Sequence, residues 1–239
     1  MRLWATPRRR PEVGRHAAGH HEGVSIARAT YHHGDLRRAL LEAGLELARE
    51  GGPDAVVLRE ATRRVGVSAN AAYRHFADRD DLLDDVVSLA QGRAADVIEQ
   101  AMAEVEDGGD PRAQARARFR AVGVGYLRFA LTEPGLFRTA FAVPTDLSRA
   151  ASADAAGAGG RTPFQLLSDQ LDEMLETGAL PPGQREGAEL LAWSAVHGLA
   201  MLAIEGPLRD LPRSAIEALV PRLVRMVDLG LGLVNPADS

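Results

Sequence analysis

A chain of 239 residues is long enough for a small domain followed by a larger one, or for a single large domain with its own core. It holds no cysteine, which excludes a disulfide framework, a thiolate nucleophile and any Cys-based zinc or iron–sulfur centre. The net charge of −5 conceals an asymmetry: residues 1–93 carry 15 arginines against 13 acidic residues and the remainder 13 against 20, so the amino end suits a polyanion and the carboxyl end does not.

With 46% hydrophobic and only 5% aromatic residues, the composition favours helix almost throughout. Residues 1–30, with Arg8-Arg9-Arg10 and scattered Gly and Pro, have no structural period and read as a disordered basic leader. They also lack the apolar stretch of an export signal, so a cytoplasmic protein is expected. From Asp35, placed as an N-cap, Leu36, Leu40, Ala43, Gly44 and Leu47 line one face of a helix that Gly51-Gly52-Pro53 ends. A short helix from Val57 to Val65, a Gly66-Val67-Ser68 turn and a second short helix from Ala69 to Phe76 follow.

Asp78-Arg79-Asp80-Asp81 opens a long helix with its carboxylates at the positive end of the macrodipole; Leu82, Val86, Ala90, Val97, Ala101 and Val105 form its apolar face. Pro111 starts the next helix and Glu133-Pro134-Gly135 breaks it. Residues 144–163 read as a mobile loop, and three helices are expected near 164–177, 184–205 and 213–233. The most apolar run, Leu190 to Ile204, is shorter than the ~20 residues a bilayer needs, so no membrane partner is expected.

The functional signal is the pair of short helices. Two helices meet at a steep angle only across a tight turn, and Gly66 can take the left-handed conformation that turn requires. Val65, Val67, Ala72 and Phe76 then fill the angle from inside. The outer face of the second helix is left to enter a DNA major groove. On it, Asn70 can pair with an adenine edge, Ala69 and Ala71 can touch thymine methyls, and Tyr73, His75 and Arg79 are placed for phosphates; Ser68, Arg74 and Arg59 complete the expected contact set, Arg59 toward guanine or phosphate. These base-facing side chains are short, so a large share of phosphate or shape readout is expected.

Gly-Val-Ser followed by Tyr-Arg-His-Phe and then Asp-Arg-Asp-Asp-Leu-Leu resembles the TetR/AcrR regulators, over Tyr31 to about Val87. Thr62 and Val65 depart from that pattern, standing where alanine is usual; the Thr62 hydroxyl can return to a carbonyl one turn earlier. The resemblance implies an all-α protein: a leader over 1–30, a three-helix helix-turn-helix DNA-binding domain over 31–88, and a helical dimerisation and ligand-binding domain over 89–239. It implies that the residues matching Tyr73 and Arg79 hold phosphates and that those matching Arg59, Ala69, Asn70 and Ala71 approach bases. It further implies a repressor that binds a palindromic operator as a homodimer and is released by a small hydrophobic molecule.

Tyr126 to Phe137 and Ala192 to Met201 resemble a branch of that family with a Trp-x-x-x-His-Gly signature in its second domain. Phe129, Phe137, Phe141, Trp193, His197 and Met201 are candidate pocket walls and equally candidate core. The extensive apolar faces of the last two helices suggest the dimer interface. No nucleophile elbow, zinc-protease helix, phosphate loop or dinucleotide fingerprint is present, so neither an enzyme nor a cofactor is expected. His20-His21 and His32-His33 are adjacent pairs whose side chains diverge, and no metal site is assigned to them.

Overall fold

The computed structural model describes residues 33–142 and 152–232; the basic leader, His20, His21 and His32, and residues 144–151 of the expected loop lie outside the described residues. All described elements belong to one compact unit spanning His32–Ser239, and among the described residues there is no strand. The order is α1 (His33–Gly51), α2 (Leu58–Val65), α3 (Ala69–Ala72), α4 (Arg79–Ala103), α5 (Pro111–Thr132), α6 (Pro134–Phe141), α7 (Pro163–Glu176), α8 (Ala188–Ile204), α9 (Arg213–Glu217) and α10 (Val220–Leu231).

Local chemistry sets most boundaries. Asp78 accepts from the Asp81 N–H and opens α4, Asp110 accepts from the Ala113 N–H and opens α5, and Thr162 with Gln165 forms a reciprocal capping box at α7. α1 begins two residues before the expected Asp35. α3 is a single turn, followed by a turn through Tyr73 in place of a helix to Phe76. The final helix is divided: Pro221 lacks the N–H a continuous helix would need, so α9 ends at Glu217 and α10 starts afresh at Val220.

α4 packs against α1, α5, α6 and α7, and so crosses the expected 88/89 boundary as one uninterrupted rod. α5 in turn packs against α7, α8 and α10. The core runs continuously from Leu40, Phe76 and Val86 to Phe129, Phe137 and Leu171. Residues 152–162 correct the loop expectation. They form a strap that carries a 3-10 turn, Ala153–Ala155, with Ala155 fully buried and the turn packed on α4.

α6 is seated against the end of α1. A Cβ at Gly135 would lie 2.3 Å from the Arg49 carbonyl oxygen and 2.4 Å from that of Ala48, so only glycine permits this approach. Glu133 accepts from Arg49 Nε at 2.9 Å beside it. On α10, Asp228 is buried and receives Arg116 at 2.8 Å and Arg120 at 3.2 Å, which ties that helix to α5.

Candidate nucleic-acid interface

α2 and α3 meet across Gly66, which is left-handed at φ 75° and ψ 32° and donates to the Thr62 and Arg63 carbonyls. Val67 N–H also bonds to the Thr62 carbonyl, at 3.1 Å, so the turn is closed by backbone bonds alone. The angle is filled by Ala61, Ala72 and Phe76, all buried, with Val65 and Val67 half-buried against them. The buried Thr62 hydroxyl donates to the Arg59 carbonyl at 2.7 Å, which satisfies it without a partner outside the helix.

Ser68 caps α3, its hydroxyl accepting from the Ala71 N–H at 3.3 Å. This turn presents Ser68, Ala69, Asn70, Tyr73 and Arg74 to solvent, with Ala71 half-buried and Tyr73 58% exposed. A tyrosine so exposed at the edge of a helix-turn-helix leaves its hydroxyl accessible to a partner. The arginines of this region divide into two groups. Arg63 bonds both oxygens of Glu60, at 2.9 and 2.6 Å, and Arg64 both oxygens of Glu50, also at 2.9 and 2.6 Å. Those hydrogen bonds hold the Glu60 and Glu50 carboxyls below their ordinary range. Arg59 and Arg74 are exposed and make no ion pair among the described residues.

Two of the expected contact residues also meet parts of the chain itself. Arg79 donates through Nε to the Val56 carbonyl at 2.9 Å and through Nη2 to the Pro53 carbonyl at 2.8 Å, with Nη1 3.2 Å from Asp80. Its guanidinium thereby holds the turn before α2, a role that no signal near it in sequence indicates. His75 is half-buried and lines a cleft between α1 and α4.

The second set of candidate residues comes together in one place. Phe137, fully buried on α6, lies 5.3 Å from the Tyr126 ring at 80°, 5.2 Å from Phe141, and 5.8 Å from His197 in a stacked arrangement. Trp193 lies 5.7 Å from His197, and Phe129 6.5 Å from Phe137. Met201, on the same helix as Trp193 and His197, is half-buried against the core.

Tyr126, absent from the expected set, is the polar centre of this cluster. Trp193 Nε1–H donates to its hydroxyl at 3.0 Å, and the hydroxyl lies 3.0 Å from His197 Nδ1. A neutral His197 protonated on Nε2 accepts the tyrosine O–H at Nδ1, and one protonated on Nδ1 donates to the same oxygen. Burial lowers the His197 pKa, consistent with a neutral ring, and burial raises that of the Tyr126 hydroxyl. No sequence signal pairs Tyr126 with partners 67 and 71 residues away.

Comparison with known proteins agrees with this arrangement. Residues 40–86 match the tetR family of bacterial regulatory proteins, and residues 119–227 match a tetracyclin repressor-like C-terminal domain, together more than half of the chain. No curated protein matches the chain. Among solved structures, a protein with unknown function from Rhodococcus sp. RHA1 is 29% identical with a TM-score of 0.65, over 86% of this chain and 100% of that one. A transcription regulator assigned to the tetR family, from Shewanella sp. PV-4, shares the fold at 18% identity and a TM-score of 0.51, over 79% of this chain and 95% of its own. A TetR-like transcriptional regulator from Rhodococcus sp. RHA1 does so at 15% identity and 0.51, over 82% and 96%.

Proposed function

The chain belongs to the TetR family, whose members are bacterial transcription regulators and not enzymes, and from that premise we propose that it is a cytoplasmic repressor. It binds a palindromic operator as a homodimer and leaves it when a small hydrophobic molecule binds the second domain. The division of the arginines supports the DNA reading most directly. On a surface where other guanidinium groups are neutralised by glutamates, the exposed Arg59 and Arg74, the latter next to Tyr73 in sequence, have no such partners among the described residues. Asn70 reads an adenine edge, Ala69 and Ala71 touch methyl groups, and Ser68, Tyr73, Arg74 and Arg59 fix register on the backbone.

The exposed faces of α8 and α10 support the dimer. Leu191 is 64% exposed, Leu202 44%, Met226 62% and Leu229 52%, too much apolar surface on two adjacent helices for solvent alone. Between them, Gly198 and Gly230 have open space where a Cβ would stand. Nothing within the chain requires glycine there, whereas a second copy approaching closely would. The aromatic cluster supports the ligand reading, with Phe141, Trp193 and His197 as its half-buried members. No described helix is long and apolar enough to cross a membrane.

Fluorescence anisotropy with the DNA flanking the chain's own gene, at several salt concentrations, tests the proposal. Tight, salt-dependent binding that prefers a palindrome and collapses in Tyr73→Ala, Arg74→Ala is expected. Weak binding, equal on all duplexes and unchanged in the variant, together with no enriched palindrome in a genome-wide pull-down, overturns it.

A further inference from the structure

The DNA-reading turn, the dimer face and the aromatic cluster leave a cleft among the described residues without a role. It has a volume of about 700 Å3 and opens between α1, α4 and the strap, lined by Leu41, Leu45 and Leu89 together with Arg38, Arg93 and His75. A cleft of that size is within the ordinary range for small-molecule sites. Its third wall depends on two glycines: a Cβ at Gly92 would stand 2.8 Å from the Ala156 carbonyl oxygen, and one at Gly157 2.6 Å from Asp96 Oδ1. With both clear, Ala158 N–H donates to Asp96 Oδ1 at 2.7 Å and the strap is held on α4.

The lining joins three leucines to three arginines and two carboxylates. Leu89 is 39% exposed in the middle of α4, where the residues around it are mostly buried. The carboxylates of the cleft are already engaged, Asp96 by the strap and Glu42 by Arg38 at 3.2 Å. Arg37 is paired with Asp85 and its guanidinium lies 5.2 Å from the centre of the Phe76 ring. Arg93 is exposed and has no carboxylate partner among the described residues. An alkyl chain would cover the leucines, and an anionic head would meet Arg93. Arg38 can join it, since its pair with Glu42 is solvent-exposed on both sides and weakly held.

We propose that this cleft is a second ligand site, separate from the aromatic cluster, and that it takes an amphipathic carboxylate. His75 lies two residues beyond Tyr73 and faces the cleft, so an occupant touches the base of the DNA-reading turn directly.

Isothermal titration of the full chain with decanoate, below its micelle-forming concentration, tests this, with decanol as the uncharged counterpart. One saturable site per chain is expected, weakened roughly tenfold or more in Arg93→Glu and in Leu89→Gln. Decanol should bind more weakly than decanoate. Both substitutions are at exposed positions, and unchanged circular-dichroism melts would confirm that the variants fold. Phe141→Ala, in the aromatic cluster, should leave decanoate binding as it is. The absence of saturable binding overturns the proposal. So does equal binding of decanol, or decanoate binding that is lost in Phe141→Ala and retained in Arg93→Glu and Leu89→Gln.

Discussion

Substituting Gly135 by alanine perturbs a contact in which the backbone of α6 meets that of α1. The new Cβ would stand 2.3 and 2.4 Å from two carbonyl oxygens, against a practical minimum of 3.0 Å, so α6 must retreat by about 0.7 Å. The oxygens belong to the last turn of a helix and cannot give way as a flexible side chain would. Overpacking of this kind costs about 1–3 kcal/mol. For a domain of this size that corresponds to a fall in Tm of roughly 3–10 °C. The retreat also disturbs the Arg49–Glu133 bond and the placement of Arg138 over Gly52, the residue before the turn that Arg79 holds. Operator affinity should therefore fall together with stability. Differential scanning calorimetry and fluorescence anisotropy on the same preparation measure both. A Gly135→Ala variant melting within 1 °C of wild type would refute the reasoning, since it would mean that α6 and α1 separate without cost.

Tyr126→Phe removes the acceptor of Trp193 Nε1–H and the hydroxyl bonded to His197 Nδ1, which costs about 1–3 kcal/mol and should shift Trp193 emission; chemical denaturation followed by fluorescence reads both. His197 has a pKa lowered by burial, so the unfolded chain binds its proton more readily. Its contribution to stability is complete above the ordinary value of 6.5 and declines as pH falls below it. Tm measured from pH 7.5 to 5 should slope downward toward acid, and less steeply in His197→Gln. Asp228→Asn leaves Arg116 and Arg120 without their buried carboxylate and should destabilise by roughly 3 kcal/mol, seen as a lower urea midpoint. Leu191→Asp with Met226→Asp places charge on both exposed apolar faces, and sedimentation at micromolar concentration should give a monomer with an unchanged circular-dichroism spectrum.

The helix-turn-helix was legible because its determinants are close in sequence. The left-handed Gly66, the Ser68 and Asp78 caps and the returned Thr62 hydroxyl all act within four residues. The start of α5 at Pro111 and the break at Glu133-Pro134-Gly135 were legible for the same reason, whereas the division of the last helix at Pro221 was not read. Contacts between distant residues were not. Arg79 reaches carbonyls 23 and 26 residues back, Asp228 meets arginines 112 and 108 residues away, and Tyr126 finds its partners across α8. The strap was misjudged because its Ala- and Gly-rich composition is that of a flexible linker. Those same small side chains are what allow the chain to lie flat on a helix at Gly92 and Gly157.

The 25 residues of α4 make a rod about 37 Å long, with its capped end joined to the DNA-reading turn and its far end in the second domain. A rod of that length converts angle into distance. A tilt of 5° about the far end carries the capped end through about 3 Å, and two copies tilting in opposite senses change the span between heads by about 6 Å against a half-site repeat of about 34 Å. A rearrangement around α4 too small to break its packing is therefore enough to take two reading heads out of step with one face of a duplex.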